Sequence, residues 1–397
     1  MVLPGRIVKN TLTAVFAVVS LVSFANPAND TVQSHVQHAA TAEVHTDAAN
    51  HAGGHAPESK KDAVDAYIQH HLQDTHDFTF FSDEAEGKHY GFPLPVILVD
   101  NGLKVFSSSK FHHGEKVAEV DGNYYKQFHG KIYKTDVQGN LDLDTHGHPT
   151  DKNVKPFDLS ITKNVVTMLF VAALMFFMFV GLAKSYKKGP LPTGFGRVLE
   201  PLIIFIREEV AIPNIGAKKY RKYMGFLLTV FFFIWILNLL GMTPLGVNVT
   251  GNISITVCLA LFTYFITQFS ANKDYWKHIF WMPDVPVPMK IILMPIEILG
   301  TLTKPFALLI RLFANITAGH VVIMSLIAMM FVGKNLAADM PISIGLTLFI
   351  SVIELLVAFL QAFIFTMLSS LFIGMAVQDH HHEEDHDHHT DEEPIII

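Results

Sequence analysis

The sequence predicts a mainly α-helical membrane protein. It is expected to have about five membrane helices, the last two forming a long tilted hairpin, plus one interfacial helix and a small β-rich extracytoplasmic N-terminal domain. Three observations carry this. Half of the 397 residues are apolar and only 16% are charged, low for a water-soluble chain. The apolar residues gather after position 160 in runs long enough to cross about 30 Å of hydrocarbon. Before that point, short alternating runs surround Asn-Gly and Asp-Gly pairs.

The chain opens with Arg6 and Lys9, an apolar stretch, and Ser23-Phe24-Ala25. That is the layout of a secretory signal ending at Ala25; an uncleaved first helix is the other reading. Both deliver the chain beyond Ala25 outside the cytoplasm. Residues 26–76 are rich in His and Ala and read as a flexible linker, with a short helix near 60–73. In residues 77–156, YGFPLPVILVDNGLKVF predicts a hairpin turning at Asn101-Gly102, and EVDGNYYKQFHGKIYK predicts another at Asp121-Gly122. The role of this β-rich unit is not legible.

The membrane domain is expected over 157–378. Spans are predicted at 161–183, 224–246 and 253–271. Between the first two, GFGRVLEPLIIFIREEVAIP mixes Arg and Glu with Leu, Ile and Phe, as an interfacial helix does. Residues 289–333 and 341–377 each exceed one bilayer thickness, which implies tilt or a break, with Pro295 and Pro305 as bending sites. Basic residues cluster at Lys184, Lys187 and Lys188, at Lys218, Lys219, Arg221 and Lys222, and at Lys273 and Lys277. These loops are therefore expected on the cytoplasmic side, with the N-terminal unit outside and the His/acidic tail, 379–397, inside.

The polar residues within the long apolar runs are the functional candidates. With the last two helices antiparallel about a turn near residue 338, His320 and Glu354 come level. Arg311 and Gln361 form a second level roughly 10 Å deeper at about 1.5 Å per residue, with Asn315 beside them. Glu297 lies 14 residues before Arg311, about 21 Å towards the cytoplasm. Carboxylate and imidazole can each take up and release a proton, whereas arginine keeps its charge. Two titratable levels flanking a fixed cation suit two half-paths kept apart by an electrostatic barrier. Ala307, Ala314 and Ala318 lie near the face of Arg311 and permit close approach of another helix. Arg311 pairs either within the chain, with Glu354 or Glu297, or with a carboxylate on a partner subunit. A satisfied core histidine is the other reading of His320. Gln361, Asn315 and Asn238 read equally as hydrogen bonds between helices.

RLFANITAGH closely resembles the arginine motif of subunit a of F-type ATP synthases. FIREEVAIPNIG, NLLGMTP, GNISITVCLAL, IEILGTLTKPFALLIRLFANITAGH and LLVAFLQAFIFTMLSSLFIGMA add to the resemblance, in order, over about 157–378. The resemblance implies an ion-conducting stator subunit with no catalysis of its own, set in the bacterial inner membrane among lipid. Its partners would be the c-subunit ring, the b-type peripheral stalk and the rest of the synthase. Arg311 would match the essential arginine that faces the ring carboxylate. His320 and Glu354 would match the external half-channel positions, in swapped order relative to some members, and Glu297 the internal one. Gln361 and Asn315 would match polar neighbours of the arginine. No cofactor and no metal are implied, and the coupling ion, H⁺ or Na⁺, is not specified.

A divalent metal carrier is the competing class, on the strength of 22 His and the tract HHHEEDHDHHTDEE. Such carriers need several ligands at one depth, and only His320 and Glu354 come level. The sequence contains no GxxxxGK[ST] loop, and no basic stripe with interleaved aromatics points to nucleic acid. The single cysteine, Cys258, excludes a disulfide within the chain.

Overall fold

In the computed structural model the described residues are 74–378, apart from 84–87, 115, 129, 144–148, 151, 190, 191, 193, 195, 244–248, 283–284 and 333–335. The expected signal segment, the linker up to residue 73 with its short helix, and the tail 379–397 lie outside them.

The N-terminal part is built of short antiparallel strands. β1 (Asp77–Asp83) pairs with β2 (Lys88–Pro93). β3 (Pro95–Val99) is the centre of a sheet between β4 (Leu103–Ser107) and β8 (Phe157–Asp158). β5 (Ala118–Val120), β6 (Asn123–Phe128) and β7 (Lys131–Thr135) form a third sheet. Both expected hairpins are present. Asn101 and Gly102 have φ of 52° and 133°, and Asp121 and Gly122 have φ of 50° and 74°. Such left-handed backbone matches the twist of the flanking strands, and Asn, Asp and Gly adopt it at least cost. Alternation along β3 and β4 sends Val96, Leu98 and Phe106 inward, against Phe111, Tyr125 and Ile132. Asp100 ties the sheets together. It accepts from the Tyr125 hydroxyl at 2.9 Å and pairs with Lys134 at 2.8 Å.

Two boundaries differ from expectation. Thr75 and His76, placed in the linker by composition, are held by hydrogen bonds within the β-rich part. The strand pairing also runs to Asp158, because β8 continues along β3.

Five helices are long and apolar enough to cross a membrane: α1 (Lys163–Lys188), α4 (Tyr220–Gly241), α5 (Ile253–Ser270), α7 (Val287–Val332) and α8 (Leu336–Val377). α4 is the hub. In its most apolar stretch 72% of residues are buried, against 29% for α7 and 28% for α8. VFFFIWIL therefore packs inward: Phe231, Phe232, Phe233 and Ile234 are buried. α7 runs through Pro295 and Pro305 without a break in helical assignment. α8 begins at Leu336, with Pro341 inside it, so helix already covers the expected turn near 338.

The segment expected as an interfacial helix is one uninterrupted helical run: α2 (Gly196–Phe205) passes through a π-helical turn (Ile206–Ala211) into α3 (Ile212–Ile215). The wide turn accompanies side-chain bonds to the Val210 carbonyl, which accepts from Asn214 Nδ2 at 2.8 Å and from Ser370 Oγ on α8 at 3.0 Å. Nearby, Gly374 of α8 lies against the Asn214 carbonyl. At the end of α8 the Val377 carbonyl accepts from Lys219 Nζ at 2.6 Å and Asn272 Nδ2 at 2.9 Å. These donors satisfy a carbonyl that the helix end leaves without an intrahelical partner. α6 (Lys273–Phe280) follows Asn272.

A methyl group at position 374 would collide with backbone rather than a movable side chain. Gly374→Ala is therefore expected to destabilise the fold by about 1–3 kcal/mol. Gly345→Ala, whose Cβ meets nothing within 4 Å, is the control. The thermal midpoint of the purified membrane complex is the measurement, and a fall should be seen for the first variant only.

Candidate functional site

α7 and α8 pack side by side, and α7 also packs on α5. α7 buries one edge, with Leu308, Leu312, Phe313 and Ile316 all under 7% exposed. The opposite edge carries Ala307, Arg311, Ala314, Asn315 and Ala318, all exposed. The expected small-residue face thus exists, with the guanidinium at its centre. Arg311 makes no ion pair or hydrogen bond with any described residue, and neither Glu297 nor Glu354 pairs with it. The reading that pairs Arg311 within the chain is not what the described residues form.

Behind this face, Asn315 Nδ2 donates to Gln361 Oε1 at 2.9 Å. Gln361 is 1% exposed. Its partner is Asn315, which the register groups at one level with Gln361 and Arg311. Glu354 is 9% exposed, and its carboxylate covers Gly319. A Cβ at Gly319 would meet Glu354 Oε1 at 2.8 Å. The contacts Asn315–Gln361 and Gly319–Glu354 run in opposite directions along the two helices, so the pair is antiparallel. His320 follows Gly319 in the backbone; its side chain lies outside the described residues. Asn238 donates to the Ala358 carbonyl of α8 at 3.4 Å and accepts from Thr250 at 3.0 Å. That is the geometry of a tie between helices.

Glu297 lies on α7 towards its N-terminal end and is half-buried. Two features near it were missed from sequence. Lys304, half-buried with its ammonium 5.5 Å from the Phe372 ring centre, stands seven residues from both Glu297 and Arg311. Two whole turns separate such positions, so the three share one line along α7. The repeated spacing Glu297, Lys304, Arg311 was the available signal. The second is a small cleft between α5, α6, α7 and α8, with room for about one water molecule, lined among others by Thr263, Thr267, Gln268, Tyr275 and Lys304. Gln268 Oε1 and Tyr275 Oη are buried there, with the Gln268 side chain beside the Tyr275 hydroxyl. Buried polar atoms of this kind are commonly satisfied by water. Its residues are scattered over three helices and a loop helix, so no local motif announces it. Gly319 was also missed, since a glycine in a helix says nothing until its neighbour is known.

Among the described residues no group of three or more His, Cys, Asp or Glu is arranged to hold a metal ion.

Comparison with known proteins divides the chain in the same way. Residues 165–374 match the family model described as ATP synthase A chain, and residues 67–159 match a domain of unknown function (DUF8433). The chain is 41% identical over 304 residues to ATP synthase subunit a 2 of Prosthecochloris aestuarii, covering 73% of this chain and 93% of that protein. It is 48% identical over 235 residues to ATP synthase subunit a of Pelodictyon phaeoclathratiforme, covering 57% and 68%. With subunit a 2 of Chlorobaculum tepidum it shares 46% identity over 251 residues, covering 61% and 69%. These matches give no support to a metal carrier. A family model covering more than half of the chain, relatives matched over most of their length and five apolar helices make this a multi-pass membrane protein of the ATP synthase subunit a family.

Proposed function

We propose that the chain is the stationary, ion-conducting membrane subunit of an F-type ATP synthase. It passes protons between two offset half-paths and the carboxylates of a rotating c-subunit ring, and performs no catalysis itself. The single observation that carries this reading is Arg311: a permanent cation, exposed among alanines, without a counter-charge in the described chain. A guanidinium at membrane depth needs a partner. The small residues around it let a helix bearing one carboxylate come close.

In this reading α7 and α8 form a long tilted hairpin lying along the ring. A proton enters from outside past Glu354 and His320 and neutralises a ring carboxylate. After rotation the carboxylate releases it towards Glu297. The cleft beside Lys304, lined by the buried polar groups of Gln268 and Tyr275, belongs to that inner half-path. Arg311 draws each arriving carboxylate into its ionised form and blocks direct passage between the half-paths. Asn315 and Gln361 brace the two helices at that level, and Asn238 holds α8 to α4. Ala307, Ala314 and Ala318 are the surface over which the ring slides.

The surroundings fit the same reading. The α2–π–α3 segment lies at the membrane interface. A signal peptide (1–25) and a linker precede an extracytoplasmic unit that takes in Asp74–His76 at its start and β8 at its end, followed by the channel domain to residue 378 and a cytoplasmic tail at 379–397. The membrane is the bacterial inner membrane, and b-type stalk subunits hold the chain still.

Two predictions test the reading. Arg311→Ala is expected to reduce proton-driven ATP synthesis in membrane vesicles to background while the complex still assembles; normal synthesis in that variant overturns the assignment. Gly319→Ala presses a methyl group onto the Glu354 carboxylate. It should slow passive proton flux several-fold through vesicles stripped of the soluble sector, in the same direction as Glu354→Gln. Undiminished flux in both variants removes Glu354 from the path.

A further inference from the structure

The first membrane helix begins in an unusual way. Its N-cap, Thr162, makes no side-chain capping bond, although Thr commonly fills that role. The first amides are met instead by a segment about 90 residues earlier. Lys163 N donates to the Thr75 carbonyl at 3.0 Å, and Asn164 N donates to Asp74 Oδ1 at 3.3 Å. The next residue, His76, is 2% exposed, and its Nε2 lies 2.9 Å from Asp158 Oδ2. Asp158 ends β8, four residues before Thr162. Its other carboxylate oxygen accepts from Ser160 N at 2.8 Å. One ion pair therefore locks the segment that caps α1 to the strand that leads into it.

We propose that the His76–Asp158 pair is a pH-sensitive latch. It fastens the N-terminal β-rich unit to the head of the first membrane helix while the solution around that unit is mildly acidic, and loosens as the solution turns alkaline.

The charged groups around His76 are Asp158 on β8, Asp74 on its own segment and Asp77 on β1, with Lys163 of α1 acting on Asp74. Asp77 is itself held by the Ser108 hydroxyl. Burial alone favours a neutral imidazole, but the hydrogen bond to Asp158 and the charges of the three carboxylates outweigh it. The His76 pKa lies above the ordinary histidine value. For Asp158, burial is likewise outweighed by the bond to His76, and its pKa lies below the ordinary carboxylate value. Burial raises that of Asp74. A group whose folded pKa is raised contributes stability fully below its unfolded value, and that contribution is lost as pH rises through the folded value. The His76 contribution therefore fades on the alkaline side. That of Asp158 fades only well into acid. The latch is independent of the proton-path reading above.

The test is hydrogen exchange on the full chain assembled in its complex in lipid nanodiscs, corrected for the intrinsic pH dependence of exchange. Protection of the Lys163 and Asn164 amides is expected to fall about tenfold between pH 6 and pH 8.5, as release of a single linked proton allows. Amides of β6 and β7 serve as reference and should keep their protection. His76→Gln, which retains a neutral hydrogen-bonding side chain, should remove the pH step, and Asp158→Asn should do the same. The proposal is overturned by a flat wild-type profile, by a step that persists in His76→Gln, or by loss of β6 and β7 protection in parallel with the junction.

Discussion

A cation that cannot be neutralised, set on the outer face of an apolar helix, is the constraint on which the membrane part depends. Arginine keeps its charge at every accessible pH. At the centre of a membrane helix such a residue costs about 2.5–3.5 kcal/mol on insertion scales, and more in other treatments. The fold does not hide Arg311. The edge of α7 bearing Leu308, Leu312 and Phe313 is turned inward, which leaves the guanidinium pointing out among alanines. Had Glu354 or Glu297 paired with it, the charge would be quenched and the surface inert. An open cation is useful only if its partner is also a charge that comes and goes. A carboxylate protonated in lipid and ionised beside arginine meets that requirement, since a nearby opposite charge favours the charged form.

The rest of the membrane part keeps that face in position. α4 is buried by α1, α8 and the π-turned segment. α8 is held to α4 and the segments around it through polar ties spaced along its length. Asn238 reaches the Ala358 carbonyl, Ser370 the Val210 carbonyl, and Lys219 and Asn272 the last turn. Lys219 at a helix C-terminus also complements the partial negative charge there. These ties lie on the inward side of α8. Leu348, Phe349, Val352 and Leu356 on the other side remain exposed, available to lipid or a neighbouring subunit. The Asn315–Gln361 bond then transmits the position of α8 to α7 at the level where Arg311 projects.

Much of this was legible in the sequence because it depends on local pattern. The spans come from apolar length, the two hairpins from Asn-Gly and Asp-Gly, and the alanine face from helical spacing around Arg311. The illegible part depends on where separate elements meet. Residue counting brings Arg311, Asn315 and Gln361 to one level, but that the bond falls to Asn315 while Arg311 points outward is set by how α7 and α8 cross. The π turn accompanies a bond from Ser370, far along the chain. Gly319 and Gly374 matter only because Glu354 and the Asn214 carbonyl arrive beside them. Composition also misassigned Thr75 and His76. A stretch rich in His and Ala resembles linker until its last residues are found capping a helix.

The two halves of the chain use charge in opposite ways, and the difference comes from solvent access. Within the membrane part the fixed charge of Arg311 stands between Glu297 and Glu354, and in the proposed reading a barrier must not switch while the groups it separates must. At the junction the titratable group is itself the fastening, and the charges around it belong to short acidic side chains already fixed by hydroxyl and amide donors. His76 is buried but sits outside the apolar spans, so the pH it answers to is that of the solution around the β-rich unit. Asp74 and Thr75 take over the capping that Thr162 leaves undone. The unit is therefore part of the head of α1 rather than an appendage tied to it by a strand. Any change in the charge of that junction acts first on the opening turn of a helix that packs against the hub of the membrane fold.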